Sequence, residues 1–354
     1  MTKASKFLLV LVIASLFAFD SVLADSQSLS GFLGDHPLLD EHKEPSDLSP
    51  HEASLQRCKQ SGNLEKIVDS LSWLGNLARR NGIQQAPAEK KRWYLMAEKY
   101  LCEQVDYARQ LVKKNPSNSK PLWKALFELA YLHEQQYKYV TAEKCCKEAV
   151  ELLRLSPKHR RRLVHGLEFH AKQLQFLEKF KEAEKKVLEA KNVFTNYQKS
   201  KQPDSLPPGA KDYTYLRWLM RELRAARLYS AWGKDDKADR HYQKAISTAV
   251  KNNDLFQAAQ CAIYHGDFLE RANDLNAASK AFDRALGFLS HLNCNDHTRY
   301  AALRMASICR KSGRASSAAK YEEHAKQACM EYSEYFGFFL ALLEAHGYNS
   351  FTRP

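Results

Sequence analysis

The sequence predicts an all-α fold built from repeated helical hairpins. Glycine and proline are scarce, at 13 and 11 among 354 residues, which favours long uninterrupted helices. From Asn63 onward, apolar and small residues recur at helical spacing with few breaks. One alanine position also returns at intervals of 41, 55, 40 and 40 residues, and such a period indicates stacked structural units. The alanines at this position are Ala142, Ala183, Ala238, Ala278 and Ala318.

The best-preserved copy of the unit is Leu255–His291. It reads as two amphipathic helices separated by an Asn-Asp pair that favours a turn. Small residues at Gly266, Ala278 and Ala285 let the two helices approach closely, and Phe282 is expected to fill the space between them. This copy sets the register for the others.

The pattern resembles the tetratricopeptide repeat, which has small residues on its first helix and an Ala, Phe, Ala series on its second. The resemblance covers roughly residues 63–335 and implies an α-solenoid of about six hairpins that forms a right-handed superhelix. The period of about 40 residues exceeds the standard period of about 34, as in the extended repeats of the kinesin light chain family. Another helical-pair solenoid or an irregular helical bundle is the alternative.

The domain organisation follows from breaks in this pattern. Asn81 to Glu89 is expected to form a longer loop inside a degenerate first unit. The predicted regions are a signal peptide at 1–24, a flexible polar leader at 25–53, repeats 1–3 at 54–199, a Pro-rich loop at 200–210, repeats 4–6 at 211–335, and a capping helix and tail at 336–354. Removal of the leader as a propeptide is an open alternative.

The first residues have the pattern of a secretory signal. Lys3 and Lys6 precede an apolar run from Phe7 to Phe19, and small residues before Asp25 suit cleavage after Ala24. The run is short for a membrane span, so an uncleaved anchor is the less favoured alternative. The C-terminus lacks a retrieval signal. We therefore expect a secreted protein with no membrane association after cleavage, and the ER lumen is the second choice.

The chain is strongly basic, with a formal net charge of +13. In an extracytoplasmic compartment this charge favours acidic proteins or peptides, and then sulfated glycans or mineral-associated matrix, over nucleic acid. Lysines and arginines that only solvate the helix faces are the alternative interpretation.

Eight cysteines in an oxidising compartment make disulfides plausible. Cys261 and Cys294 fall toward the same end of one hairpin and are the expected bridge, whereas Cys309 and Cys329 fall at opposite ends of theirs. Cys146 is expected to be a buried thiol.

No pattern of catalytic residues stands out. His265 and Asp267 match a His-x-Asp metal motif, but they lie inside a predicted helix, so a structural role is favoured. The sequence has no phosphate-binding Gly-rich loop and no paired-histidine zinc helix. We therefore expect a non-enzyme without cofactor or metal.

Binding is the remaining function class. In tetratricopeptide repeats the first helix of each pair lines the concave surface, so the resemblance implies that basic and aromatic side chains there contact a partner. The four arginines of one predicted helix share a face at i, i+4, i+7 and i+10, although a solvated face paired with Glu222 is the alternative. The predicted binding residues are Arg217, Arg221, Arg224, Arg227, Lys124, Phe127, Tyr131, Phe169, Lys172, Tyr264 and Arg304.

The sequence thus favours a secreted interaction scaffold that binds an extended or acidic partner on a concave face, with the extracellular matrix as one setting. An ER-lumenal accessory or co-chaperone-like factor is one alternative. A charge-driven binder of sulfated glycan or mineral-associated acidic matrix is the other.

Overall fold

A computed structural model describes residues 48–83, 85–199, 214–290, 292 and 295–328. All regular secondary structure in these ranges is helical, with no strand among them. The predicted signal peptide, the Pro-rich loop at 200–210 and the region 336–354 lie outside the described residues, as do Cys294 and Cys329.

The described residues form two compact units. Unit 1 comprises residues 48–173 and 192–198, and unit 2 comprises residues 174–191 together with the described residues from 199 to 328. The helices of the first part of the chain are α1 (Ser49–Gln60), α2 (Leu64–Ile83), α3 (Pro87–Lys114), α4 (Lys120–Gln135), α5 (Tyr139–Arg154) and α6 (Arg160–Phe176), with a short 3-10 helix at Pro157–His159 before α6. The later helices are α7 (Phe180–Lys199), α8 (Thr214–Ala231), α9 (Asp235–Lys251), α10 (Leu255–Arg271), α11 (Leu275–Leu289) and α12 (Asn295–Lys311), followed by helical residues 315–328.

One turn recurs between the first and second helix of successive hairpins. The residue two positions before each second helix has a φ between 57° and 69°. The amide of the next residue then donates to a carbonyl five positions earlier, as in a Schellman motif. These left-handed residues are Tyr137, Glu178, Gly233, Asn273 and Gly313. Their spacing is that of the marker alanines, so the turn sets the period.

The core confirms the predicted packing of the repeated unit. The five marker alanines are at most 3 % exposed. Phe282 is fully buried, and a Cβ atom added at Gly266 would lie 2.8 Å from the Phe282 ring. Only glycine therefore lets α10 and α11 reach this separation.

The first hairpin has the same close approach of two helices at a glycine. A Cβ atom at Gly75 would lie 2.5 Å from the side chain of Leu101, so α2 and α3 pack as closely as the sequence predicts. The predicted long loop from Asn81 to Glu89 is wrong. Helix α2 continues to Ile83 and α3 begins at Pro87, because proline fits the first turn of a helix, where its missing N–H is not needed.

The helical region also begins earlier than predicted. Helix α1 starts at Ser49, inside the segment 25–53 that was expected to be a flexible leader. Leu48 and Leu55 are 5 % and 3 % exposed. The burial of these two leucines stabilises α1, although the surrounding residues show no sustained helical period.

The cysteines are partly as expected. Cys146 is fully buried, and burial raises the pKa of its thiol well above the usual value. Cys261 is also buried, which raises the pKa of its thiol to about 12. The predicted bridge from Cys261 stays a prediction, since Cys294 lies outside the described residues.

Candidate functional site

A row of aromatic rings crosses the first helices of unit 1. The guanidinium carbon of Arg79 on α2 lies 4.7 Å from the ring centroid of Tyr131 on α4. The Tyr131 ring lies 6.5 Å from the ring of Phe169 on α6. Tyr131 and Phe169 are both half-buried, so each ring has an anchored side and a side open to solvent. Burial is the main cause that lowers the pKa of Arg79.

Phe127 belongs to the core and not to this surface. Its side chain is 2 % exposed. A Cβ atom at Gly166 would lie 2.7 Å from the Phe127 ring, which places the ring against α6. The prediction that Phe127 contacts a partner is therefore wrong. Phe127 instead supports the surface, because its ring lies 6.2 Å from that of Phe169.

The two predicted lysines of unit 1 lie beside carboxylates. Lys124 Nζ is 3.8 Å from Oε1 of Glu128. Glu128 is buried and also accepts hydrogen bonds from Ser72 on α2 and Gln104 on α3, at 2.9 to 3.0 Å. Lys172 Nζ donates to Glu134 at 3.1 Å. Acidic side chains of unit 1 therefore balance part of the positive charge on its first helices.

The four predicted arginines lie on α8 in unit 2. Arg217, Arg224 and Arg227 are half-buried, and Arg221 is 7 % exposed. Arg221 Nη1 donates to the backbone carbonyl of Arg217 at 2.8 Å. Burial, followed by the charge of Arg217, lowers the pKa of Arg221 to about 9. The row thus contains one guanidinium that is largely removed from water.

Glu222, the alternative partner of this row, contacts the helices behind it. Its Oε1 accepts a hydrogen bond from Lys244 Nζ at 2.9 Å, and its Oε2 lies 2.7 Å from His241 Nδ1. Lys191 on α7 is 3.7 Å away. Burial opposes ionisation of Glu222, but the hydrogen bonds to His241 and Lys244 outweigh it and lower the pKa of Glu222 to about 2. The Glu222 carboxylate therefore contacts cationic side chains of α9 and α7.

Tyr264 on α10 extends the arginine row. The guanidinium carbon of Arg227 lies 5.0 Å from the Tyr264 ring centroid, within the range of a cation–π contact. Both side chains are half-buried. The structure therefore brings the arginines of α8 and the tyrosine of α10 onto one surface, which we name the arginine surface: Arg217, Arg221, Arg224, Arg227 and Tyr264.

Arg304 is held by two acidic residues. Its Nη2 lies 2.7 Å from Glu270, and its Nε lies 3.4 Å from Asp267. Lys311 Nζ also donates to Glu270 at 2.7 Å. Because these acidic residues balance the charge of Arg304, we leave it out of the arginine surface.

The His-x-Asp motif is divided between two different contacts. His265 Nε2 lies 2.7 Å from Asp239 on α9, whereas Asp267 accepts from the hydroxyl of Tyr300 on α12 at 2.9 Å. Within the described ranges no group of three or more His, Cys, Asp or Glu side chains is arranged to hold a metal ion. The motif therefore contributes to helix packing.

The same histidine–carboxylate pair occurs in each unit, and the sequence reasoning missed it. In unit 1, His170 Nε2 lies 2.8 Å from Glu143, as His265 lies beside Asp239 in unit 2. The two histidines precede the left-handed turn residue by eight positions, and both acids directly follow a marker alanine. An alignment of the marker alanines would have shown that an acidic residue follows several of them. At the equivalent position, Glu184 accepts a hydrogen bond from the Tyr229 hydroxyl at 2.7 Å. The acidic residue at this position therefore joins one repeat to the next.

In the described region no helix combines the length and the apolar character that crossing a membrane requires.

Comparison with known proteins supports the fold. No protein-family model matches the chain, and no curated protein matches it in sequence. Among solved structures, BtubC (BKLC) from P. vanneervenii is similar with a TM-score of 0.50 and 15 % identity, over 67 % of this chain and 91 % of that chain. Aspartyl phosphate phosphatase F from Bacillus subtilis is similar with a TM-score of 0.54 and 13 % identity, over 82 % of this chain and 76 % of that chain.

A third similar structure is the STAND protein with a tetratricopeptide repeat sensor, PH0952, from Pyrococcus horikoshii. Its TM-score is 0.45 at 12 % identity, over 84 % of this chain and 42 % of that chain.

The recurring hairpin and the similarity to the first two solved structures establish the fold. The chain is an all-α, tetratricopeptide-like helical-repeat protein, as predicted. The number of hairpins and the right-handed superhelix stay predictions.

Proposed function

We propose that this protein is a non-enzymatic interaction scaffold that binds an extended acidic peptide through the arginine surface of unit 2. The observation that carries the proposal is the row of arginines on α8 that ends in the contact of Arg227 with the Tyr264 ring. Three of the four arginines, Arg217, Arg224 and Arg227, are half-buried and match a peptide with several carboxylates, while the buried Arg221 adds positive charge beneath them. The Tyr264 ring offers apolar area for a side chain of the peptide.

The electrostatics of α8 favour an anionic ligand. Arginines four residues apart on one helix repel each other, and the charge of Arg217 contributes to the lowered pKa of Arg221. A carboxylate placed across the row stabilises the charged form of each guanidinium. Glu222 contacts His241 and Lys244 on α9 and Lys191 on α7, and a ligand on the arginine row leaves these contacts in place.

We further propose that the chain is secreted and meets this ligand outside the cell, with the extracellular matrix as one setting. The signal-like first residues and the formal charge of +13 support this setting. Function as an accessory factor in the ER lumen is the second choice. Binding of sulfated glycan or mineral-associated matrix is the third, and it predicts a different salt dependence.

The test is fluorescence anisotropy with a labelled synthetic peptide of alternating glutamate and tyrosine. Arg224→Ala combined with Arg227→Ala should weaken its affinity at least tenfold, since contacts to charged groups in an interface are among the strongest. Arg304→Ala is the matched control, because its charge is balanced by Asp267 and Glu270, and it should change the affinity less than threefold. Equal affinities for the wild type and the double variant would exclude the arginine surface.

The salt dependence of the affinity distinguishes peptide binding from glycan binding. A heparin oligosaccharide held by charge alone should lose most of its affinity between low and high ionic strength. The peptide should retain more of its affinity, because its tyrosines pack on Tyr264. A peptide affinity that falls as steeply as that of heparin would favour the glycan function.

A further inference from the structure

The segment between the predicted signal peptide and helix α1 has a net charge opposite in sign to that of the rest of the chain. Residues 25–47 contain six Asp and Glu residues and one lysine, a net charge of −5. From residue 48 onward lie 51 of the 54 Lys and Arg residues and 34 of the 41 Asp and Glu residues, a net charge of +17. Such an acidic segment beside a basic domain is a candidate for an intramolecular contact.

The acidic segment joins unit 1 at the start of α1. Helix α1 is fixed to the first hairpin by a hydrogen bond between Glu52 and Tyr100 and by an ion pair between Lys59 and Glu103. The His51 ring lies 3.7 Å from the ring of Trp73 on α2. The segment 25–47 therefore ends four residues before His51, the residue whose ring contacts Trp73.

Trp73 is a further exposed ring on the first helices of unit 1. Its side chain is 37 % exposed, whereas tryptophan side chains are highly buried on average. It shares α2 with Arg79, which contacts Tyr131 and through it Phe169. We name Trp73, Arg79, Arg80, Tyr131 and Phe169 the aromatic surface. It combines rings that are partly open to solvent with the exposed cation of Arg80, whereas Arg79 is only 9 % exposed and supports the Tyr131 ring.

Unit 1 is itself basic, so the charges are complementary. Residues 48–173 contain 23 Lys and Arg residues against 13 Asp and Glu residues, a net charge of +10. The segment 25–47 also carries apolar side chains among its acids, with Leu38 and Leu39 directly before Asp40 and Glu41. Leucines suit the rings, and the adjacent carboxylates suit the arginines.

We infer that residues 25–47 bind in cis to the aromatic surface of unit 1, with carboxylates at the exposed Arg80 and leucines on its rings. At most about 3.3 Å per residue, 23 residues give ample length to reach α6 from Leu48. A covalently attached segment competes at an effective concentration that reaches the millimolar range. An external acidic ligand would bind this surface only by displacing the segment. The arginine surface of unit 2 is a separate site.

The test is competition between the attached segment and the same segment added in trans. A fluorescent peptide of residues 25–47 is titrated into the chain from residue 25 to 354, as wild type and as a variant with Asp35→Asn, Asp40→Asn, Glu41→Gln, Glu44→Gln and Asp47→Asn. The variant should bind the peptide at least tenfold more tightly than the wild type, because its own segment no longer occupies the surface. Equal binding by both chains, or binding by neither, would overturn the inference.

Further variants identify the surface. In the neutralised background, Trp73→Ala with Arg80→Ala should remove most of this gain, whereas Arg224→Ala with Arg227→Ala should leave it. The reverse result would overturn the assignment to unit 1. Circular dichroism melts show whether each variant is folded, and a peptide with Leu38→Ser and Leu39→Ser shows whether net charge alone suffices. Equal binding of that peptide would exclude the leucine contacts.

Discussion

The aromatic surface of unit 1 and the arginine surface of unit 2 lie on first helices of the repeats but are built from different side chains. In unit 1, rings from successive helices form a row on the buried Phe127, and Lys124 and Lys172 lie beside carboxylates. In unit 2, four arginines share one helix, and the nearby Glu222 contacts α9 and α7. The repeat supplies the same framework to both surfaces, and the side chains on the first helices make one mainly aromatic and the other mainly cationic.

The largest expected effect is on the free energy of unfolding, and it comes from the aromatic rings of unit 1. Phe127→Ala should lower the free energy of unfolding by about 3–5 kcal/mol, as for other buried phenylalanines. Phe169→Ala should cost less, since its side chain is only half-buried. Urea denaturation followed by circular dichroism measures both values. Equal costs would show that the two rings have the same structural role.

Glu222 gives the next effect, which is specific to unit 2 and to acidic pH. The folded-state pKa of Glu222 is lowered to about 2, so its contribution to stability is present above the unfolded-state pKa of about 4.3 and is lost as pH falls toward 2. The loss is on the order of 3 kcal/mol. Thermal melts between pH 6 and 2.5 should show a weaker pH dependence for Glu222→Gln than for the wild type.

Glu323→Gln is the control for this measurement, because the Glu323 side chain is 57 % exposed. It should leave the pH dependence close to that of the wild type. An unchanged pH dependence in Glu222→Gln would mean that the carboxylate does not contribute through its contacts with α9 and α7.

The smallest effect concerns the turn that both surfaces have in common. Glu178 has a φ of 57° and Gly233 a φ of 69° at the equivalent position. Glu178→Gly should raise the stability by roughly 1 kcal/mol, and Gly233→Ala should lower it by a similar amount, because a Cβ is disfavoured in the left-handed region. Denaturant midpoints measure both. Peptide affinity should stay unchanged, since the turn carries no residue of either surface.

The repeat was predictable because its signals are local and periodic. The small residues at Gly266, Ala278 and Ala285 fix where two helices touch, and turn residues at Asn273 and Gly313 fix where they reverse. The surfaces were less predictable. Phe127 and Tyr131 are one helical turn apart and are equally aromatic, yet one is 2 % exposed and the other half-buried.

The charges show the same limit. Arg227 and Arg304 look alike in the sequence, but Arg304 lies beside Asp267 and Glu270, which are more than 30 positions earlier in the chain. The start of α1 was also missed, since the burial of Leu48 and Leu55 follows from tertiary packing and not from a local pattern.

By itself, the sequence determined the fold class and the register of this protein. Helix periodicity, close-packing glycines and left-handed turns act over a few residues, so they can be read directly from the chain. Only the tertiary structure decided which cations are balanced and which rings are open to solvent. The physical reason is that both properties depend on side chains of the neighbouring repeat. Arg304 and Glu270, for example, are 34 positions apart in the sequence but 2.7 Å apart in space.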